Sequence, residues 1–181
     1  MTMTPAVSDA GPLIHLAQIS KLHLLKKIFK HISITPKIKR EVIDEGVRLG
    51  HTDAQVIKKA IDDGWIVIKD IPKAATSVAE RLAEGENLSL ADAETIILAK
   101  EKGAEILVDE RALSNQAKMY GLVVWNTWTI LLEALRKGFI KASDIESAVI
   151  ELGEKRHKLK AKQAAEILEA VKLINSHDMP L

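Results

Sequence analysis

Two apolar runs that each end on an aspartate and lead into a helix constrain the fold of this chain most. Ala6-Val7-Ser8-Asp9 is followed by Ala10-Gly11-Pro12 and an apolar helical stretch. Ala104-Glu105-Ile106-Leu107-Val108-Asp109 repeats the arrangement, with a helix expected from Glu110. Gly11 permits a sharp change of direction and proline is pre-set for a first helical position, so Pro12 is expected to open the first helix. Both aspartates then lie at the carboxyl ends of strands, the edge of an open parallel sheet where ligands bind. Asp9 by itself is also explained as a cap of the following helix. A functional reading needs further acids at the same edge.

Strand and helix signals alternate along most of the chain. Ile32-Ser33-Ile34-Thr35 is a second strand candidate, and Pro36 starts a helix through Ile38, Val42 and Ile43 that is expected to stop near Gly46. Thr52-Asp53-Ala54-Gln55 reads as a capping box for a helix ending at Asp62-Asp63-Gly64. Trp65 to Ile71 reads as a strand closed by Pro72, and Ala74 to Ala83 as a short helix before a break at Gly85 to Asn87. Leu122-Val123-Val124-Trp125 is a further strand that ends on Asn126, before a helix from Thr127 to Arg136. Ser143-Asp144-Ile145-Glu146 reads as another capping box, and a last helix carries Ile167, Leu168, Val171 and Ile174. The alternation predicts an α/β fold, a three-layer parallel β-sheet flanked by helices with right-handed crossovers. The expected organisation is an α/β domain over residues 1–142 and a helical C-terminal extension over 143–181. That extension is expected to pack on the domain or on a partner, with a homodimer as one way to cover it.

Further acids are available. Glu41 lies one turn before Glu45 on the helix that starts at Pro36, a like-charge spacing that costs a few tenths of a kcal/mol, about 0.2–0.5. The alternative is a pair of solvated surface acids flanked by Lys37, Lys39 and Arg40. In Ser89-Leu90-Ala91-Asp92-Ala93-Glu94-Thr95-Ile96-Ile97-Leu98-Ala99, Ser89 is a good N-cap and places Asp92 at the third helical position. Asp92 and Glu94 point about 200° apart at the helical repeat, so one flat site would not use both. The run of apolar residues after them predicts a helix buried nearly all round, on which an acid is costly unless paired or bound to a metal. Asp92 at a helix amino terminus is also explained by the helix dipole. If the strands of Asp9 and Asp109 are neighbours, their carboxylates meet at the switch point of the sheet. Carboxylates without Cys or His suit a hard cation, Mg²⁺ or Mn²⁺. The six histidines show no ligand spacing.

Composition narrows the function classes. Lys and Arg number 26 against 25 Asp and Glu, so no global basic field announces a nucleic-acid partner and any such binding must be local. Aromatic residues make up 3%, too few for a platform of stacked bases. The chain has no cysteine, which excludes disulfides, thiolate nucleophiles and thiolate metal sites and suits the cytoplasm. No signal peptide is read at the amino terminus, and no apolar run approaches the roughly 20 residues of a membrane span, so no membrane partner is expected.

The ordered set of motifs resembles the PIN-domain family, in particular its compact prokaryotic branch related to VapC-type toxins. The matching pieces are Val7-Ser8-Asp9-Ala10-Gly11-Pro12-Leu13-Ile14, Ile34-Thr35-Pro36 with Arg40-Glu41-Val42, Gly64-Trp65-Ile66, Leu90-Ala91-Asp92-Ala93-Glu94-Thr95-Ile96 and Leu107-Val108-Asp109-Glu110-Arg111. They cover roughly residues 5 to 140. The resemblance implies a Mg²⁺- or Mn²⁺-dependent endoribonuclease whose metal-binding and catalytic acids are Asp9, Glu41, Asp92 and Asp109, with Glu94 the alternative third acid. It implies an RNA substrate and a toxin-like role with an antitoxin-like protein partner. Gly11 stands where many members carry Ser or Thr, which removes a supporting hydroxyl. Lys37, Arg40, Arg111 and the basic run from Lys155 to Lys162 are candidates for holding the RNA backbone. Another reading is a PIN-like module without activity, serving RNA binding or protein assembly. A haloacid-dehalogenase-type phosphatase would want Asp-x-Asp at the first strand, where Gly11 stands instead, and a receiver domain would want adjacent acids there and a lysine after the last strand.

Overall fold

A computed structural model of the chain describes residues 3–155 and 159–177. Five short parallel strands, β1 (Ala6–Ser8), β2 (Ile32–Ile34), β3 (Ile66–Ile68), β4 (Glu105–Leu107) and β5 (Val124–Trp125), form one sheet in the order β3-β2-β1-β4-β5. β1 is central: Ala6 and Val7 face Ile32 and Ser33 of β2, while Ala6, Val7 and Ser8 face Glu105, Ile106 and Leu107 of β4. The strand order reverses at β1, so the crevice between β1 and β4 lies where such sheets hold their ligands.

Successive strand residues point to opposite faces, and each face has its own core. Ala6, Ile32, Ile34 and Leu107 pack with α1 (Ala10–Gln18), α2 (Leu24–Ile28), α5 (Thr52–Asp62), α9 (Thr127–Arg136) and α11 (Ala161–His177). Val7, Ile106 and Val108 pack with α6 (Thr76–Glu86), α7 (Leu90–Lys102) and α8 (Arg111–Met119) on the other side. This is the three-layer parallel α/β fold that the alternation predicts. On α7, every residue from Ala93 to Ala99 is buried, as its apolar run requires.

The C-terminal helices close the structure. α10 (Ala142–Glu154) contributes Ile145, Ala148 and Leu152 to the core, and α11 lies against α9 with Ile167 and Val171 buried. Leu168 of the same helix is 37% exposed, so only part of its apolar face meets the body of the chain. Arg156, His157 and Lys158 of the basic run lie outside the described residues.

Several element boundaries differ from the sequence reading, each for a local reason. α1 starts at Ala10, so Pro12 is its third residue; the first four helical N–H groups lack partners, and proline is tolerated there too. The helix from Pro36 does not stop at Gly46. It runs as α3 (Pro36–Lys39), a π-helical turn (Arg40–Glu45) and α4 (Gly46–Arg48). Gly46 serves close approach instead: a Cβ there would lie 2.7 Å from Ala54 Cβ on α5. His51, not Thr52, precedes α5, and Thr52 makes no capping bond. Lys141, not Ser143, precedes α10, with its N–H donating to Asp144 Oδ2 at 2.8 Å. α6 continues through Gly85 to Glu86 and ends on Asn87 in the left-handed region, φ 53°.

Candidate functional site

Asp9 follows β1 directly, and its N–H donates to Leu107 O at 2.9 Å, which carries the ladder one residue past the last strand position. It occupies the N-cap position of α1, yet its side chain makes no capping hydrogen bond. The residue is half-buried, and its carboxyl is largely desolvated. Its pKa is raised from the ordinary 3.8 to about 7: desolvation is the largest cause, the charges of Asp92 and Glu41 act in the same direction, and the Ala10 and Gly11 amides work against them.

Glu41 reaches this position from the π-helical turn. An added residue in one helical turn rotates the side chains that follow it, and such turns concentrate at functional sites. Glu41 keeps an exposed side chain, and its pKa is raised by the desolvation of its inner portion, then by Asp92 and Glu45. Asp92 comes from the first turn of α7, where a capping box holds it: Ser89 Oγ accepts from Asp92 N–H at 3.0 Å, and Asp92 Oδ2 accepts from Ser89 N–H at 3.1 Å. Three elements thus bring Asp9, Glu41 and Asp92 within electrostatic reach of one another.

The other two candidate acids are engaged elsewhere. Glu94, 8% exposed, accepts from Lys37 Nζ at 2.7 Å, so the buried acid on α7 is an ion pair between α7 and α3. Asp109 lies two residues past β4, the strand paired with β1, and its carboxylate is held by three donors. Thr127 N–H donates to Oδ1 at 2.7 Å, Thr127 Oγ1 donates to Oδ2 at 2.7 Å, and His15 Nδ1 lies 2.6 Å from Oδ2. Gly11 explains the proximity, since a Cβ there would sit 3.3 Å from both Cβ and Oδ2 of Asp109.

His15 and Thr127 escaped the sequence reading. Thr127 carries the same positional signal as Asp109: each stands two residues past the end of its strand, β5 and β4 respectively, at the same edge of the sheet. His15 was legible only as the residue one turn after Gly11 on the same helix face. Of the basic candidates, Lys37 is committed to Glu94, while Arg40 and Arg111 are exposed.

Among the described residues, no three Asp, Glu or His side chains are drawn close enough to form a ready coordination sphere. The donor set still fits a hard divalent cation. Asp9 is a half-buried carboxyl whose ionisation is disfavoured by desolvation and by two other acids, and the chain offers no thiolate to favour a softer metal. The cavities found elsewhere, such as one of about 320 Å³ beside His23 and Trp65 and one of about 470 Å³ beside Phe29 and Trp125, do not include these acids.

An open parallel sheet with acids from the end of β1, the π-helical turn after α3 and the first turn of α7 near its switch point defines an α/β protein of the acid-cluster type. Residues 5–173 match the family DUF3368, described as PIN domain, and the chain belongs to it. PIN domains are generally nucleases and generally use divalent metals. The match extends through most of α11. Among solved structures, PAE2754 from Pyrobaculum aerophilum is similar at 20% identity and a TM-score of 0.53, over 72% of this chain and 94% of that one. A PilT N-terminus domain protein, SSO1118 from Sulfolobus solfataricus P2, is similar at 18% identity and a TM-score of 0.48, over 72% and 93%. The comparison with curated proteins gives no match. No helix among the described residues is long and apolar enough to cross a membrane.

Proposed function

We propose that this PIN domain is a Mg²⁺- or Mn²⁺-dependent endoribonuclease. The observation that carries the proposal is Asp9: a half-buried carboxyl at the sheet switch point, its pKa raised to about 7 in the company of Asp92 and Glu41. Holding acids together against their own repulsion destabilises a protein unless a cation relieves it. Asp9, Glu41 and Asp92 would hold the metal, with Asp109 completing the edge beside Asp9. A divalent ion bound there supplies an activated water and neutralises charge developing on the phosphate and leaving oxygen. Asp9 fixes the position by its burial, Asp92 by its capping box and Glu41 through the π-helical turn. Arg40 and Arg111, both exposed, would contact the phosphodiester backbone without reading sequence. The wider reading is a toxin-like component in the cytoplasm with an antitoxin-like partner, which co-expression with neighbouring reading frames would test.

The test is cleavage of a mixed-sequence single-stranded RNA with Mn²⁺ or Mg²⁺, comparing the wild type with Asp9→Asn and Asp92→Asn. Cleavage that requires the ion and is lost in both variants supports the proposal. Equal cleavage by all three proteins contradicts it. Absence of cleavage by a folded wild type that also binds no metal favours the inactive RNA-binding or assembly module.

A further inference from the structure

His15, Gly11 and Thr127 surround Asp109. Gly11 and His15 are four residues apart on α1 and share a face. The missing Cβ at Gly11 lets that face approach Asp109, and His15, one turn on, reaches Oδ2 at 2.6 Å. Carboxylate oxygens only accept, so Nδ1 is the donor of this bond. From the opposite side the first residue of α9 contributes two donors, the Thr127 N–H to Oδ1 and its hydroxyl to Oδ2, both at 2.7 Å. Thr127 is 1% exposed and the His15 and Asp109 side chains 17% and 18%, so these bonds are shielded from competing water.

Counting acceptor capacity shows what the arrangement does. Each carboxylate oxygen has two lone-pair directions. Oδ2 takes two donors, His15 and the Thr127 hydroxyl, and is filled. Oδ1 takes one, the Thr127 N–H, and keeps one direction open. We propose that His15 is a positioning residue: with Thr127 it saturates one oxygen of Asp109 and fixes the carboxylate so that Oδ1 alone is offered to a divalent ion held with Asp9. The inference rests on the metal-dependent reading. It adds that α1, through Gly11 and His15, sets the orientation of an acid that belongs to a different strand. Groups that orient a metal ligand in this way tune affinity strongly, and their loss typically costs 10–100-fold.

The experiment is calorimetric titration of Mn²⁺ into the intact chain, using wild type, His15→Leu, His15→Asn and Thr127→Val, with the melting temperature of each metal-free protein recorded alongside. Asparagine can place an amide N–H near the position of Nδ1, whereas leucine cannot. The expected result is binding weakened 10–100-fold in His15→Leu and restored to within about threefold of wild type in His15→Asn, with Thr127→Val weakened in the same direction. Affinity unchanged in a folded His15→Leu overturns the inference, and so does a folded His15→Asn as weak as His15→Leu. If His15→Leu does not fold, wild-type affinity in Thr127→Val overturns it. A wild type that binds no Mn²⁺ overturns the metal-dependent reading itself, which separates the two failures.

Discussion

Asp9 couples stability to function at the level of a single carboxyl. The folded protein binds its proton more tightly than the unfolded chain does, because burial, Asp92 and Glu41 raise the pKa from 3.8 to about 7. Its contribution is therefore most favourable below about pH 4, is lost as pH rises through this window, and is fully unfavourable above about 7. Asp9→Asn is expected to stabilise the metal-free protein at pH 8 by on the order of 3 kcal/mol, a benefit that shrinks toward pH 4. Urea unfolding in a chelator at both pH values checks this, and a destabilised variant at pH 8 contradicts it. Glu94 behaves differently because it has a partner. Lys37→Met leaves a carboxylate of 11% side-chain exposure without its ammonium and is expected to cost about 2 kcal/mol or more. The double variant with Glu94→Gln should recover most of that loss, which a double-mutant cycle measures directly.

At the scale of elements, the π-helical turn between α3 and α4 is the piece on which the site depends most. Gly46 brings the end of that turn against α5, with room for no Cβ beside Ala54. Gly46→Ala is expected to cost about 1–3 kcal/mol by overpacking. Because it displaces the segment that carries Glu41, it should weaken Mn²⁺ binding as well, which a surface substitution such as Val47→Ala should not. What the sequence made legible follows the same division. The strands after which Asp9 and Asp109 stand were readable because a short apolar run, buried on both faces of the sheet, leaves a local signal, and Ser89 with Asp92 was readable because a capping box is a contiguous motif. The π-helical turn was not, since its extra residue is set by how α3 and α5 meet. The Lys37–Glu94 pair and the three donors on Asp109 were hidden for a related reason: they join residues 57, 94 and 18 positions apart, and no local pattern encodes such pairings.

Taken as a whole, the chain has two cores separated by one sheet, and the C-terminal helix belongs to one of them. Ile167 and Val171 are 8% and 3% exposed and join the same cluster as β2 and α1. Ile167→Ala is expected to lower the stability of the entire chain by about 2 kcal/mol or more and to leave a single unfolding transition. A separate low-stability transition of the C-terminal region would show that it folds as its own unit. At the switch point of the same sheet, acids from three elements come within electrostatic reach of one another. The most direct measurement is calorimetric titration of Mn²⁺ at pH 8 into the wild type and Asp9→Asn. Saturable binding by the wild type that is lost in a folded Asp9→Asn is the result expected. Equal binding by the two proteins, or none by either, would contradict the account.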